Sequence, residues 1–137
     1  MGLVYANIEL INIEDEFSVK KHLIGIDEIR RMTISMMVDS GAITLTINEE
    51  IRQALGLEII GHRLSQMADG RRADLPVVGP VKVVFEDRFC QTDALVLPGD
   101  NEALLGAIPM EAMDLWINPA RNLLTGVHPE GPVMSLR

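Results

Sequence analysis

Met36-Met37-Val38-Asp39-Ser40-Gly41-Ala42 decides how this chain is read. Apolar residues deliver one carboxylate, then a hydroxyl, then a glycine. Side chains alternate across a strand, and glycine at a strand marks a sharp turn or a close backbone approach. The stretch therefore predicts that Asp39 stands at a strand end, in a turn, beside an apolar wall that excludes part of its water. Asp-Ser-Gly alone is common in turns; its neighbours make it informative.

Far downstream, Ala103-Leu104-Leu105-Gly106-Ala107-Ile108 repeats the plan of an apolar strand closed by glycine. Each copy leads into a helix signal. After Gly41 comes Asn48-Glu49-Glu50-Ile51-Arg52-Gln53-Ala54-Leu55-Gly56, with an N-cap, acids in the first turn and a C-terminal glycine. After Gly106 comes Pro109-Met110-Glu111-Ala112-Met113, with proline at a helix start. Strand, glycine turn and helix thus occur twice.

Working outward, the rest reads as short strands. Leu3 to Ile13 alternates, with Val4, Ala6, Ile8 and Leu10 on one face and Asn7 and Glu9 on the other. Asp15 to Lys21 is charged and reads as a turn. Arg30 to Val38 leads into Asp39, and Ile43 to Ile47 alternates again. Ile59 to Met67 runs into Asp69-Gly70, a hairpin signal. Leu75 to Val78 and Val81 to Phe85 read as two strands separated by Gly79-Pro80. Phe89 to Leu97, Leu115 to Ile117 and Leu123 to Val127 follow. Many short strands between regular turns predict a closed or sandwiched β fold. Its expected core includes Val38, Ile51, Leu55, Val83, Leu95, Leu104, Leu105 and Leu115.

Composition narrows the functional classes. A chain of 137 residues can bury one core, and 47% apolar residues exclude a disordered chain. A net charge of −8 argues against a phosphate-binding surface, and hence against nucleic acid as a partner. The single cysteine, Cys90, cannot form an internal disulfide and reads as a small buried hydrophobe. His22, His62 and His128 are scattered without metal-ligand spacing. No apolar run approaches a membrane span and no signal-peptide pattern opens the chain, so no membrane association is expected and the cytoplasm is the default compartment. Trp116 reads as a core residue.

At these residues the chain resembles a known family. Val38-Asp39-Ser40-Gly41-Ala42 is similar to the active-site turn of the retropepsin-like aspartic proteases. Leu104-Leu105-Gly106 is similar to their second apolar-apolar-Gly motif, and Ala68-Asp69-Gly70 stands where they carry a flap hairpin. The resemblance covers roughly residues 3 to 127 and is nearest to small prokaryotic single-domain members. It implies an all-β fold with two short helices, closed into the barrel of the acid proteases. The domain would span residues 1–128, with a tail over 129–137.

The resemblance also implies chemistry. Peptide hydrolysis by carboxylates needs two of them, one acting as general base on a water and the other as acid. The chain has one Asp-Ser-Gly turn, and Gly106 has no Asp before it. The implied assembly is a homodimer in which each chain contributes Asp39 as the catalytic residue. Ser40 would hydrogen-bond across the dimer and, with Gly41, support the turn. Ala42 would line the bottom of the cleft, and Asp69 and Gly70 would sit on a cover over a peptide or protein substrate. No cofactor or metal is implied. One departure is evident: viral members place an acid after the active-site Ala and an Arg after the second Gly, and this chain has Ile43 and Ala107 there. The alternative function is a non-catalytic dimeric β module that binds peptides or protein partners, with Asp39 serving only its turn. A serine or cysteine hydrolase ranks last, because neither Ser40 nor Cys90 has a base beside it in sequence.

Overall fold

Alternation shapes the first strand. In the computed structural model, which describes residues 2–134 and Leu136, β1 (Val4–Asn12) buries Val4, Ile8 and Leu10 and turns Tyr5 and Asn7 outward. It pairs antiparallel with β2 (Arg31–Val38), setting Val4 opposite Val38 and Ile8 opposite Ile34. Then come β3 (Leu45–Asn48), β4 (Ile59–Gln66), β5 (Arg72–Phe85), β6 (Arg88–Leu97), β7 (Leu104–Leu105), β8 (Leu115–Asn118) and β9 (Leu123–Gly126).

The ladders close a ring. The strand order is β1-β2-β7-β3-β6-β5-β4, and β5 also pairs with β1 through Val81–Val84 against Glu9–Asn12. Six strands therefore form a closed barrel, which removes the exposed edges of an open sheet. Its interior is filled by Ile8, Leu10, Met36, Leu45, Ile47, Val81, Val83 and Leu105, all fully buried. Each such side chain contributes about 2 kcal/mol on burial. The β4–β5 hairpin beyond the barrel is mostly exposed, and β8 and β9 form a separate two-stranded sheet.

Two helices stand where the sequence predicts them. α2 (Glu49–Leu55) is capped by Asn48, whose Oδ1 accepts from the Ile51 N–H at 2.9 Å, and ends at Gly56 with φ 63. α3 (Ala107–Ala112) follows Gly106. No helix among the described residues is long and apolar enough to cross a membrane.

Four local expectations are corrected. The charged run read as a turn is a helix, α1 (Ile13–Lys20), numbered ahead of the other two. Asn12 caps it by accepting from the Asp15 N–H at 3.1 Å, acids fill its first turn, and Lys20 sits in its last, where each sign suits the helix dipole. Gly79-Pro80 does not divide two strands: β5 runs through it with a register shift between Val78 and Val81. Leu95 and Leu104 are only partly buried, because Ala94, Val96 and Leu105 take the inward positions and alternation turns their neighbours out. Trp116 is 46% exposed for the same reason, with Leu115 facing the core.

Candidate active site

β2 buries Val38 and then releases the chain into a turn. The Asp39 N–H donates to the Leu105 carbonyl at 3.0 Å, so the start of the turn is tied to β7. The Ala42 N–H donates to the Asp39 carbonyl at 3.1 Å. The Gly41 N–H donates to Asp39 Oδ1 at 2.9 Å, the self-bonded turn that short acidic side chains favour. Asp39 and Ala42 are half-buried, while Ser40 and Gly41 are exposed.

The second glycine motif braces this turn from behind. The Ala107 and Ile108 N–H groups donate to the Ala42 and Ile43 carbonyls, each at 2.8 Å. The approach is possible only because residue 106 has no side chain. A Cβ there would lie 2.3 Å from the Thr44 carbonyl oxygen and 2.8 Å from the Ala42 carbonyl oxygen. The positions that hold an acid and an arginine in viral members are thus Ile43 and Ala107, in segments joined here by backbone hydrogen bonds.

The direction of the Asp39 side chain follows from strand parity. Val38 and Leu105 face the core, so Met37 and Asp39 project from the outer face of the barrel. Among the described residues only the Gly41 N–H bonds the Asp39 carboxylate, leaving Oδ2 uncommitted.

The other anticipated site residues lie apart from this turn. Asp69 and Gly70 form the tip of the β4–β5 hairpin, where Gly70 has φ 87 and its N–H donates to the Met67 carbonyl at 2.9 Å. Asp69 accepts from the Arg71 N–H at 3.0 Å and from Arg71 Nε at 2.7 Å. Among the described residues no hydrogen bond links the tip to the Asp39 turn.

Other reactive groups are engaged elsewhere. Burial pushes the Cys90 thiol up to about 11, which leaves it unreactive as a nucleophile near neutral pH. Arg88 is buried and donates to the Met113 and Asp114 carbonyls at 3.2 and 2.9 Å and to the His128 carbonyl. His128 Nδ1 lies 2.5 Å from Asp114, whose carboxyl is held below the usual range chiefly by that hydrogen bond. This cluster fastens the C-terminal segment to the barrel. Cavities of about 320 Å³ beside Arg88 and about 270 Å³ between Phe17 and Phe89 are not lined by the Asp39 turn. No group of three or more metal-binding side chains occurs among the described residues.

Sequence reasoning did not single out the residues sharing the outer face with Asp39. Met37 could have been found by counting two back from Asp39. Leu104 and Thr46 needed the ladders, in which Met37 pairs with Leu104 and Leu104 with Thr46.

A family profile described as aspartyl protease matches residues 26–108, which include both the Asp39 turn and Gly106. The chain belongs to the aspartyl protease family, in agreement with the resemblance carried by residues 38–42 and 104–106. Among solved structures it is similar to a retropepsin-like aspartic protease from Rickettsia conorii, with 19% identity and a TM-score of 0.48, covering 83% of this chain and 74% of that one. No curated protein matches the chain.

Proposed function

We propose that the protein is an aspartic endopeptidase whose catalytic pair consists of the Asp39 carboxylates of two chains in a homodimer. The observation that carries this reading is the Asp39 turn. Its carboxylate is half-buried on the outer face, one oxygen is oriented by the Gly41 N–H, and the other is uncommitted. The backbone beneath is held by Leu105, Ala107 and Ile108. A reagent must be both positioned and unengaged, and this arrangement supplies both.

One chain contributes one such turn, so the second carboxylate comes from a symmetry-related copy; two-fold dimers are the commonest oligomers. Two carboxylates at contact do not both ionise readily and hold one proton between them. The ionised member takes a proton from a bound water as that water attacks the peptide carbonyl, and the protonated member donates to the carbonyl oxygen. The leaving amine is protonated as the tetrahedral intermediate collapses. Ser40, exposed beside Asp39, would bond across the dimer and hold the two turns in register. Ala42 would form the floor of the cleft, and the hairpin carrying Asp69 and Gly70 would close over the bound chain.

Exposed apolar groups beside the turn support an assembled site. Ile43 is 73% exposed and Ile108 50% exposed, and their segments are hydrogen-bonded to each other next to Asp39.

The test incubates the purified protein with a mixed peptide library from acidic to neutral pH, beside Asp39→Asn, and measures assembly by sedimentation. Cleavage by the wild type, bell-shaped in pH and absent in a dimeric Asp39→Asn, supports the proposal. Cleavage that survives Asp39→Asn, or activity from a species that sediments as a monomer, sinks it. Peptide binding without cleavage would instead identify a binding module on the same fold.

A further inference from the structure

Three phenylalanines occur in this chain, and two of them are left outside the core. Phe85 is buried, whereas Phe17 is 47% and Phe89 63% exposed. Fully burying such a side chain contributes about 2 kcal/mol, so each exposed ring forgoes much of that. Both rings line the same cavity of about 270 Å³. The lysines are distributed alike. The chain has three, and Lys20 and Lys82 line this cavity, with Lys21 next in sequence. A molecule of net charge −8 therefore gathers its lysine ammonium groups beside its two exposed rings.

Local structure explains the juxtaposition. Ile13, Glu16, Phe17 and Lys20 are three or four residues apart on α1, so they share one helix face, which buried Ile13 fastens to the barrel. On the barrel Val83 faces the interior, which turns Lys82 and Val84 outward. Their partners on β6, Gln91 and Phe89, share that outer face. The cavity is the groove between α1 and these strands. Lys82 Nζ lies 3.6 Å from Glu16 Oε1 and 4.8 Å from the centre of the Phe89 ring, so it joins helix to sheet. Lys20 Nζ stands 5.9 Å from the centre of the Phe17 ring and makes no ion pair among the described residues.

We infer that this groove docks a linear segment of a protein partner in which an apolar side chain stands beside a carboxylate. The apolar side chain enters between the Phe17 and Phe89 rings, and the carboxylate pairs with Lys20 and Lys82. Charge complementarity selects the acid: Glu16 is the one carboxylate among the described lining residues, against two lysines, and Lys82 already engages it. Volume selects a peptide: about 270 Å³ lies below the roughly 300–1,000 Å³ of small-molecule pockets and takes one or two side chains. Strand addition is not the mode, because Val81–Val84 of β5 are already paired with β1 on one side and β6 on the other. The groove is separate from the Asp39 turn. Val4 of β1 pairs with Val38, next to Asp39, while Ile11 pairs with Lys82, and the strand between positions 4 and 11 spans roughly 23 Å. Docking here therefore does not depend on catalysis by Asp39.

The test measures fluorescence anisotropy of labelled, capped hexapeptides that carry phenylalanine or leucine beside aspartate. Matched peptides replace the acid by asparagine or the apolar residue by alanine. Asp39→Asn is measured alongside the wild type, so that cleavage does not consume the probe. The wild type is expected to bind the aspartate member about 2- to 5-fold tighter than the asparagine member, the range of an exposed ion pair, and the preference should fade with salt. Phe17→Ala should weaken binding about 2- to 12-fold, the range of one aromatic contact. Lys20→Glu should abolish or reverse the acid preference, while Lys20→Arg retains it. No binding, no acid preference in the wild type, or a preference that Lys20→Glu and Phe17→Ala leave unchanged overturns the inference. Binding to phosphatidylserine vesicles through the same residues, without any peptide preference, also overturns it and makes the groove a membrane contact. Because the readout is binding in both proteins, failure here leaves the endopeptidase reading standing, and the reverse holds. Should Lys20→Glu or Phe17→Ala fail to fold by circular dichroism, Lys20→Gln or Phe89→Ala takes its place.

Discussion

Two turns in this molecule begin with the same local chemistry and end differently. In Asp39-Ser40-Gly41 the carboxylate accepts the N–H two residues on at 2.9 Å; in Asp69-Gly70-Arg71 it does the same at 3.0 Å. Beyond that bond they diverge. The second oxygen of Asp69 is taken by Arg71 Nε at 2.7 Å, and the hairpin tip around it is exposed. The second oxygen of Asp39 is uncommitted, while its backbone is tied to β7 and the residues just after the turn, Ala42 and Ile43, are held by the start of α3. An aspartate paired with its own neighbour on an exposed tip is a solvated turn. One held rigidly with an unused oxygen is a candidate reagent. The difference lies in what packs behind the turn, not in the turn itself.

Removing the reagent should separate the two turns most sharply. Asp39→Asn is expected to lower peptide cleavage by at least about a thousand-fold, within the range of general acid–base catalysis, with sedimentation and circular dichroism unchanged. Asp69→Asn should alter kcat/KM by only a few-fold. Equal losses in the two variants would erase the distinction drawn here.

The clamp can be tested through its glycine. Gly106→Ala drives a methyl group to 2.3 Å from the Thr44 carbonyl oxygen and should cost about 3 kcal/mol or more in urea unfolding. Gly70→Ala meets nothing within 4 Å, and its only difficulty is φ 87, for a cost of about 1 kcal/mol. A Gly106→Ala protein as stable as the wild type would show that the turn is not braced as described.

Asp15 shows what full commitment of a carboxylate does. It accepts from the Arg30 N–H and Nε, each at 2.9 Å, and from Nη2 at 3.0 Å, and the guanidinium holds its carboxyl below the usual range. A carboxyl lowered in the folded state contributes stability in full above its unfolded pKa and loses it as pH falls through the folded one. Arg30 is half exposed, so Asp15→Asn should cost only about 1–2 kcal/mol at pH 7. The gap to wild type should close in acid, as read from denaturation midpoints. A gap constant with pH would remove the ion pair as its cause. The smallest effect is expected at the hairpin tip. Arg71→Ala frees Asp69 from an exposed pair and should change stability by less than about 0.5 kcal/mol.

Much of this was legible before any coordinates. Alternation located β1 and β3, apolar stretches bounded by turn signals located β2, β4 and β6, and Asn48 with Gly56 bracketed α2 to within a residue. Other features needed more. α1 carries a readable cap at Asn12, but its eight residues are so rich in charge that composition suggested a turn. Leu104 and Leu105 are chemically identical, and only the ladder to β2 shows which one faces the core. Nothing near Thr46 distinguishes it from Thr44 until the flanking strands bury one hydroxyl and leave it without a partner among the described residues.

The sequence by itself determined the local vocabulary: which residues alternate, where helices are capped, and which aspartates begin turns. These depend on interactions within a few residues, so they can be read along the chain. Tertiary structure alone decided that β5 returns to β1, that Gly106 lies against the backbone of residues 42–44, and that Asp39, Met37, Leu104 and Thr46 share one face. Those relations join residues up to about seventy positions apart, and packing of the apolar faces into one closed core selects them.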